Sequence, residues 1–134
     1  MEPLKAVKKE EAEVFDLPGR SWLHYVGPAI TGSKNITVGF SEFPAGSAPE
    51  GHVHPTQEEV IYIVSGTGKL VSPANTVDLE PGTVVYIPVG QHHQTVNDGS
   101  RFEINGVLGR NELAGPRDDV DDLFLGWVNM ALGC

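Results

Sequence analysis

A chain of 134 residues with 18 acidic against 9 basic side chains carries a net charge of −9, which repels nucleic-acid phosphates and anionic membrane surfaces. Its single cysteine is Cys134, so no internal disulfide forms and the reducing cytoplasm is the expected compartment. No apolar run approaches the roughly 20 residues of a membrane-spanning helix, no signal-peptide core follows the charged N-terminus, and the length is that of one domain.

Residues 1–13 are rich in charge and are expected to be loosely held. The chain then reads as short strands rich in Val, Ile, Phe, Tyr and Thr, cut by turns that draw on 16 glycines and 10 prolines. The expected strands are Trp22–Val26, Asn35–Phe43, Gly51–His54, Glu59–Val64, Gly68–Val71, Thr76–Leu79, Val84–Ile87, His92–Val96 and Arg101–Leu108. Asn97-Asp98-Gly99 is a hairpin signal, because Asp-Gly tolerates the positive φ such turns require. Many short strands at near-regular spacing imply an all-β sandwich or barrel. The tail differs: Val120, Leu123, Phe124, Trp127, Val128 and Ala131 make a helical stripe. Asp118, Asp119, Asp121 and Asp122 sit at its start, where carboxylates suit the helix dipole. The spacing predicts a short C-terminal helix over residues 117–132, packed on its own sheet or on a second subunit.

Two stretches carry the chemistry. His52 and His54 are one residue apart, so on a strand both imidazoles share a face. Glu59 opens the next strand and His93 enters on a later one. Neutral imidazole and carboxylate are first-rank ligands for divalent first-row metals. Octahedral Fe, Mn, Ni or Co would keep open positions for a substrate or O₂, whereas zinc could be closed by these ligands alone. His24 stands apart and reads as a surface or packing residue.

These stretches resemble the paired motifs of the cupin family. The first runs Gly46, five residues, His52-X-His54, four residues, Glu59, six residues, Gly66; the second runs Gly82, five residues, Pro88-X-Gly90, two residues, His93, three residues, Asn97. The resemblance spans residues 46–97, with a short gap of fifteen residues between the motifs. It implies a single domain over 1–134, folded as a double-stranded β-helix, the cupin jelly-roll barrel. It also implies one divalent transition metal per chain inside that barrel, bound by His52, His54, Glu59 and His93. Iron, manganese and nickel lead; zinc, cobalt and copper are the alternatives. The motif spacing selects Glu59 over its neighbour Glu58 and His93 over His92, and alternation then turns Glu58 and His92 outward.

The same alternation sets Ile61 and Ile63 beside Glu59, and offers Ile36, Val38 and Phe40 on one early strand and Phe102, Ile104 and Gly106 on the last as further lining. Tyr62 and Tyr86 fall on the outer face, Gln91 in a loop, and Trp22 in the core or an interface. Lys5, Lys8 and Lys9 lie in the N-terminal segment, Arg20, Lys34, Arg110 and Arg117 at predicted turns, and Arg101 on the face opposite Phe102. No inward arginine is in prospect to hold an anion, so the expected substrate is a neutral or aromatic small molecule that chelates the metal. No residue is singled out as general acid or base. The expected activity is that of a mononuclear non-haem oxygenase. The alternatives are a non-catalytic sugar- or metabolite-binding cupin and a metal-dependent isomerase, lyase or decarboxylase. A homodimer is expected, through the edge at Trp22–Val26 and the apolar tail.

Overall fold

A computed structural model describes residues 1–99 in full and the backbone of residues 102–110. The expected helix over 117–132, with Arg101 and Arg117, lies outside the described residues. Nine strands form among the described residues: β1 (Glu13–Leu17), β2 (Arg20–Val26), β3 (Ile36–Phe43), β4 (Gln57–Ser65), β5 (Gly68–Val71), β6 (Thr76–Leu79), β7 (Val84–Ile87), β8 (Gln94–Val96) and β9 (Phe102–Arg110). One short helix, α1 (Pro28–Thr31), joins β2 to β3, and a 3-10 turn spans Lys9–Glu11. Among the described residues no helix is long and apolar enough to cross a membrane.

A six-stranded sheet in the order β1-β2-β3-β9-β4-β7 faces a three-stranded sheet in the order β6-β5-β8, and every pairing is antiparallel. This is the expected double-stranded β-helix. Its core lies between the sheets, where Phe43, Ile61, Ile63, Leu70, Leu79, Val85 and Ile87 pack together. Each such side chain contributes roughly 1.5–3 kcal/mol by leaving water. Strand β4 alternates as its sequence demands: Ile61 and Ile63 are buried while Val60, Tyr62 and Val64 are exposed.

The glycines of the paired motifs have a conformational cause. Gly46, Gly66, Gly82 and Gly90 all lie at φ between 73° and 85°, in the left-handed region where a Cβ is strained. Asn97 closes one end of the barrel. Its buried amide donates to the carbonyls of Phe43 (3.2 Å) and Pro44 (2.8 Å), and its Oδ1 accepts from the Gly99 N–H at 3.1 Å.

Several expectations need correction. The stretch Gly51–His54 is not a strand; only His52 pairs, in an isolated bridge to His93. The next residues after His54 are Pro55 and Thr56, and proline keeps the chain out of a ladder there. Strand β1 was not anticipated, because Glu13 and Asp16 break its apolar pattern. Such polarity suits an edge strand. It covers the edge of β2, with Glu13 through Leu17 paired to His24 through Arg20, so Trp22, Leu23 and His24 are not free to pair with a second subunit there. The inner face of β3 is also the opposite one from that expected: Thr37, Ser41 and Phe43 are buried, whereas Ile36 is exposed. The cause is Trp22. Its indole lies against Gly39, where an added Cβ would stand 2.0 Å from Cζ2. The inner face therefore needs a small residue there, and a reading by hydrophobicity follows the bulkier outer face.

Candidate metal centre

Each candidate ligand is placed by backbone the sequence dictates, three from the first motif and one from the second. The His52 N–H donates to the His93 carbonyl and the His93 N–H to the His52 carbonyl, both at 3.0 Å. The Gly90 N–H donates to the His54 carbonyl at 2.9 Å, tying the Pro88-Val89-Gly90 turn to the first motif. Glu59 sits in β4 between Ile87 of β7 and Leu108 of β9. The ring of His93 is oriented from behind: Nδ1 donates to the Gln91 carbonyl at 2.9 Å. That bond leaves Nε2 with its lone pair toward the other three residues.

The four donor atoms converge. His52 Nε2 is 3.2 Å from His54 Nε2, and Glu59 Oε2 is 3.1 Å from both His54 Nε2 and His93 Nε2. All four ligand atoms lie within 4.8 Å of one another and could hold a metal ion. Neighbouring donors about 2.1 Å from one ion at right angles are about 3 Å apart, the spacing found here. The chemistry of the set fits as well. Glu59 Oε2 and His93 Nε2 are buried and make no hydrogen bond among the described residues, a costly arrangement that an ion between them would relieve.

The electrostatics favour ligand-ready protonation states. Burial lowers His52 to about 3, helped by the neighbouring His93 and His54. Burial works to raise the Glu59 carboxyl, but the His54 and His93 imidazoles overcome it and hold Glu59 well below the usual carboxylate range. Burial works to lower His93, but the Glu59 carboxylate and the bond to Gln91 raise it. At neutral pH His52 is therefore neutral and Glu59 ionised, the states in which each binds a cation.

The neighbours that alternation turned outward are outward. Glu58 is exposed and accepts a 2.5 Å hydrogen bond from the Tyr86 hydroxyl on the outer surface. Tyr62 is on the same outer face. His92 is exposed, and its ring rests on Gly51, where an added Cβ would meet Cε1 at 2.6 Å. His24 is a packing residue, buried, with Nε2 3.0 Å from the Val26 carbonyl. Trp22 belongs to the core, 4% exposed.

The expectation of no inward arginine is wrong. Arg20 is the first residue of β2, not part of a turn, and alternation puts it on the face of Trp22 and His24. Its guanidinium carbon lies 5.9 Å from the centre of the buried Phe43 ring. Burial lowers it to about 10, and the Glu59 carboxylate opposes that shift. Starting the strand two residues earlier would have exposed this phase. The signal was hidden because Arg20 directly follows Pro18-Gly19, which reads as a turn.

A family model described as a cupin domain matches residues 39–104. An uncharacterized protein of Streptomyces coelicolor is 33% identical over 61 residues, 46% of this chain and 57% of that protein. A glucose-6-phosphate isomerase of Thermococcus onnurineus is 39% identical over 57 residues, 37% of this chain and 30% of the isomerase. The matches thus span less than two thirds of either relative. The solved structure of a predicted oxalate decarboxylase from Thermotoga maritima superposes with a TM-score of 0.68 at 22% identity, covering 80% of this chain and 100% of that one. That similarity is one of fold.

Proposed function

Because this chain carries a cupin domain, we propose that it is a metal-dependent small-molecule enzyme of the mononuclear non-haem oxygenase type, with His52, His54, Glu59 and His93 holding one divalent transition metal. The observation that carries the reading is the convergence of these donor atoms, with Glu59 Oε2 and His93 Nε2 buried and unbonded among the described residues. Three neutral imidazoles and one carboxylate suit iron, manganese or nickel, with zinc, cobalt and copper as weaker candidates. Bound there in six-coordinate form, such an ion supplies Lewis acidity and two open positions for a chelating substrate or O₂.

The chain's own residues do the rest. Gln91 holds the His93 ring in its ligand tautomer. The buried wall of Ile61, Val85 and Ile87 beside Glu59 keeps water from the inner side of the site. A redox-neutral reaction, as in an isomerase, lyase or decarboxylase, is the second reading; the inward Arg20 favours it, because such substrates are commonly anionic. A non-catalytic sugar- or metabolite-binding role is the third. Oxygen uptake during a substrate screen on anaerobically reconstituted protein separates them: uptake coupled to product supports the oxygenase, and product without uptake replaces it with the redox-neutral reading.

We further propose that the enzyme works in the cytoplasm as a homodimer. Val60, Tyr62, Val64, Val84 and Tyr86 are exposed together on the outer face of β4 and β7, an apolar surface of the kind that subunits cover. Light scattering at low micromolar concentration should give twice the chain mass. A monomer mass that does not change on concentration would contradict the dimer.

A further inference from the structure

Resting on the metal reading above, we propose that Gln94 and His92 are positioning residues for His52: together they clamp the arm that carries it and hold its imidazole ready for the ion. The four ligands are not held alike. Glu59 stands in β4 with a strand on each side, and His93 directly precedes β8, which pairs with β5. His52 and His54 instead lie on the segment between β3 and β4, residues 44–56, where no strand forms. The first part of this arm is tied down at two points. The Asn97 N–H donates to the Ser47 carbonyl at 2.8 Å, and His52 exchanges backbone bonds with His93. Between these points, among the described residues, no backbone–backbone hydrogen bond reaches residues 48–51. Pro49 sits in this stretch, and a proline has no N–H with which to continue a ladder.

Side chains close the gap. His92 and Gln94 flank His93 in sequence, so alternation turns both to the side away from the metal ligands, and there they meet the arm. Gln94 Nε2 donates to the Pro49 carbonyl at 3.0 Å, a side-chain bond where the backbone makes none. The His92 ring lies on Gly51, where an added Cβ would stand 2.6 Å from Cε1 and 2.9 Å from Nε2, so the ring keeps that place only while residue 51 has no side chain. The two contacts fall on residues 49 and 51, immediately before His52, and fix the direction from which its ring enters the site. An arm free to shift there would leave Glu59 and His93 in place but lose the 3.2 Å approach of His52 Nε2 to His54 Nε2. Ordering the arm on metal binding would weaken that binding; with the clamp in place the arm is ordered before the ion arrives.

The test uses the full chain with Co²⁺ alone as the probe, its affinity measured by competition with a chromophoric chelator. Gln94→Met keeps the length of the side chain and removes its donor. It is made in wild type and in His52→Ala, which deletes the imidazole but leaves the backbone bridge to His93. We expect Gln94→Met to weaken Co²⁺ binding about 10-fold in wild type, the low end for a residue that orients a metal ligand. In His52→Ala the same change should cost less than about 2-fold, because no ring is left for the clamp to position and His54 is held separately by the Gly90 N–H. A residue that merely stabilises the barrel would affect both backgrounds alike. If Gln94→Met does not fold, His92→Ala decides through the same two backgrounds. No loss in wild type, or an equal loss in both backgrounds, would overturn the positioning role and leave the metal centre standing. Wild type that takes up no cobalt would refute the metal reading and the positioning role with it.

Discussion

His52 and His93 exchange both of their backbone hydrogen bonds, each N–H to the other's carbonyl at 3.0 Å, and their imidazole centroids lie 4.4 Å apart. One residue pair therefore joins the first motif to the second and aims two of the donors at one point. No strand is needed at His52 for this; a single bridge between two extended segments fixes both rings.

The outward direction of Glu58 on β4 can be tested against His54, an inward donor on the segment before the strand. His54→Ala deletes an inward donor and should lower metal affinity by about 100-fold or more, since even outer partners of a ligand are worth 10–100-fold. Glu58→Gln alters an exposed carboxylate bonded to Tyr86 and should leave affinity within about 2-fold. Competition with a chromophoric chelator measures both. Equal losses would mean that β4 is out of register by one residue, which would turn every side chain to the other face.

Acid should destabilise the metal-stripped protein, chiefly through His52. Its value falls from 6.5 when unfolded to about 3 in the fold, so between these pH values the unfolded chain binds the proton that the folded one refuses. Stability is then lost as pH drops from 6.5 toward 3. Glu59, held low, adds stability above pH 4.5 that is lost as pH falls toward its folded value. His93, raised, acts oppositely: its contribution is present below pH 6.5 and is lost as pH rises through its folded value. Urea midpoints of stripped protein should decline from pH 6.5 to 4, and His52→Asn should flatten that decline. An equal decline in the variant would remove His52 from the explanation.

Gly39→Ala should cost about 1–3 kcal/mol, the usual penalty of overpacking a filled core, because the new methyl would meet the Trp22 indole at 2.0 Å. Trp22→Phe in the same chain should recover part of the loss, since neighbouring sites couple. Chemical denaturation checks both. A neutral Gly39→Ala would show that the indole has room to move.

Much of this architecture was legible beforehand because local chemistry and tertiary need agreed. Strands β5, β6 and β7 lie where their alternation and flanking turns put them; the spacing of the resembled motifs selects Glu59 over Glu58 and His93 over His92, and a period-two backbone with one buried face then turns the neighbours outward. The phase of β3 was hidden because its inner face is built of Thr37, Gly39 and Ser41 to admit the Trp22 ring, so hydrophobicity marks the outer side. Arg20 was hidden by the Pro18-Gly19 turn before it, and the polar edge strand β1 by its charges. In each case a partner distant in sequence sets the requirement, and a local pattern does not register it.

Protein purified without chelators, then stripped and reconstituted anaerobically, should hold close to one equivalent per chain of iron, manganese, nickel, cobalt, copper or zinc by elemental analysis, and His93→Ala should hold almost none. Wild-type protein that carries no metal as purified and takes up none on reconstitution would contradict the proposed centre.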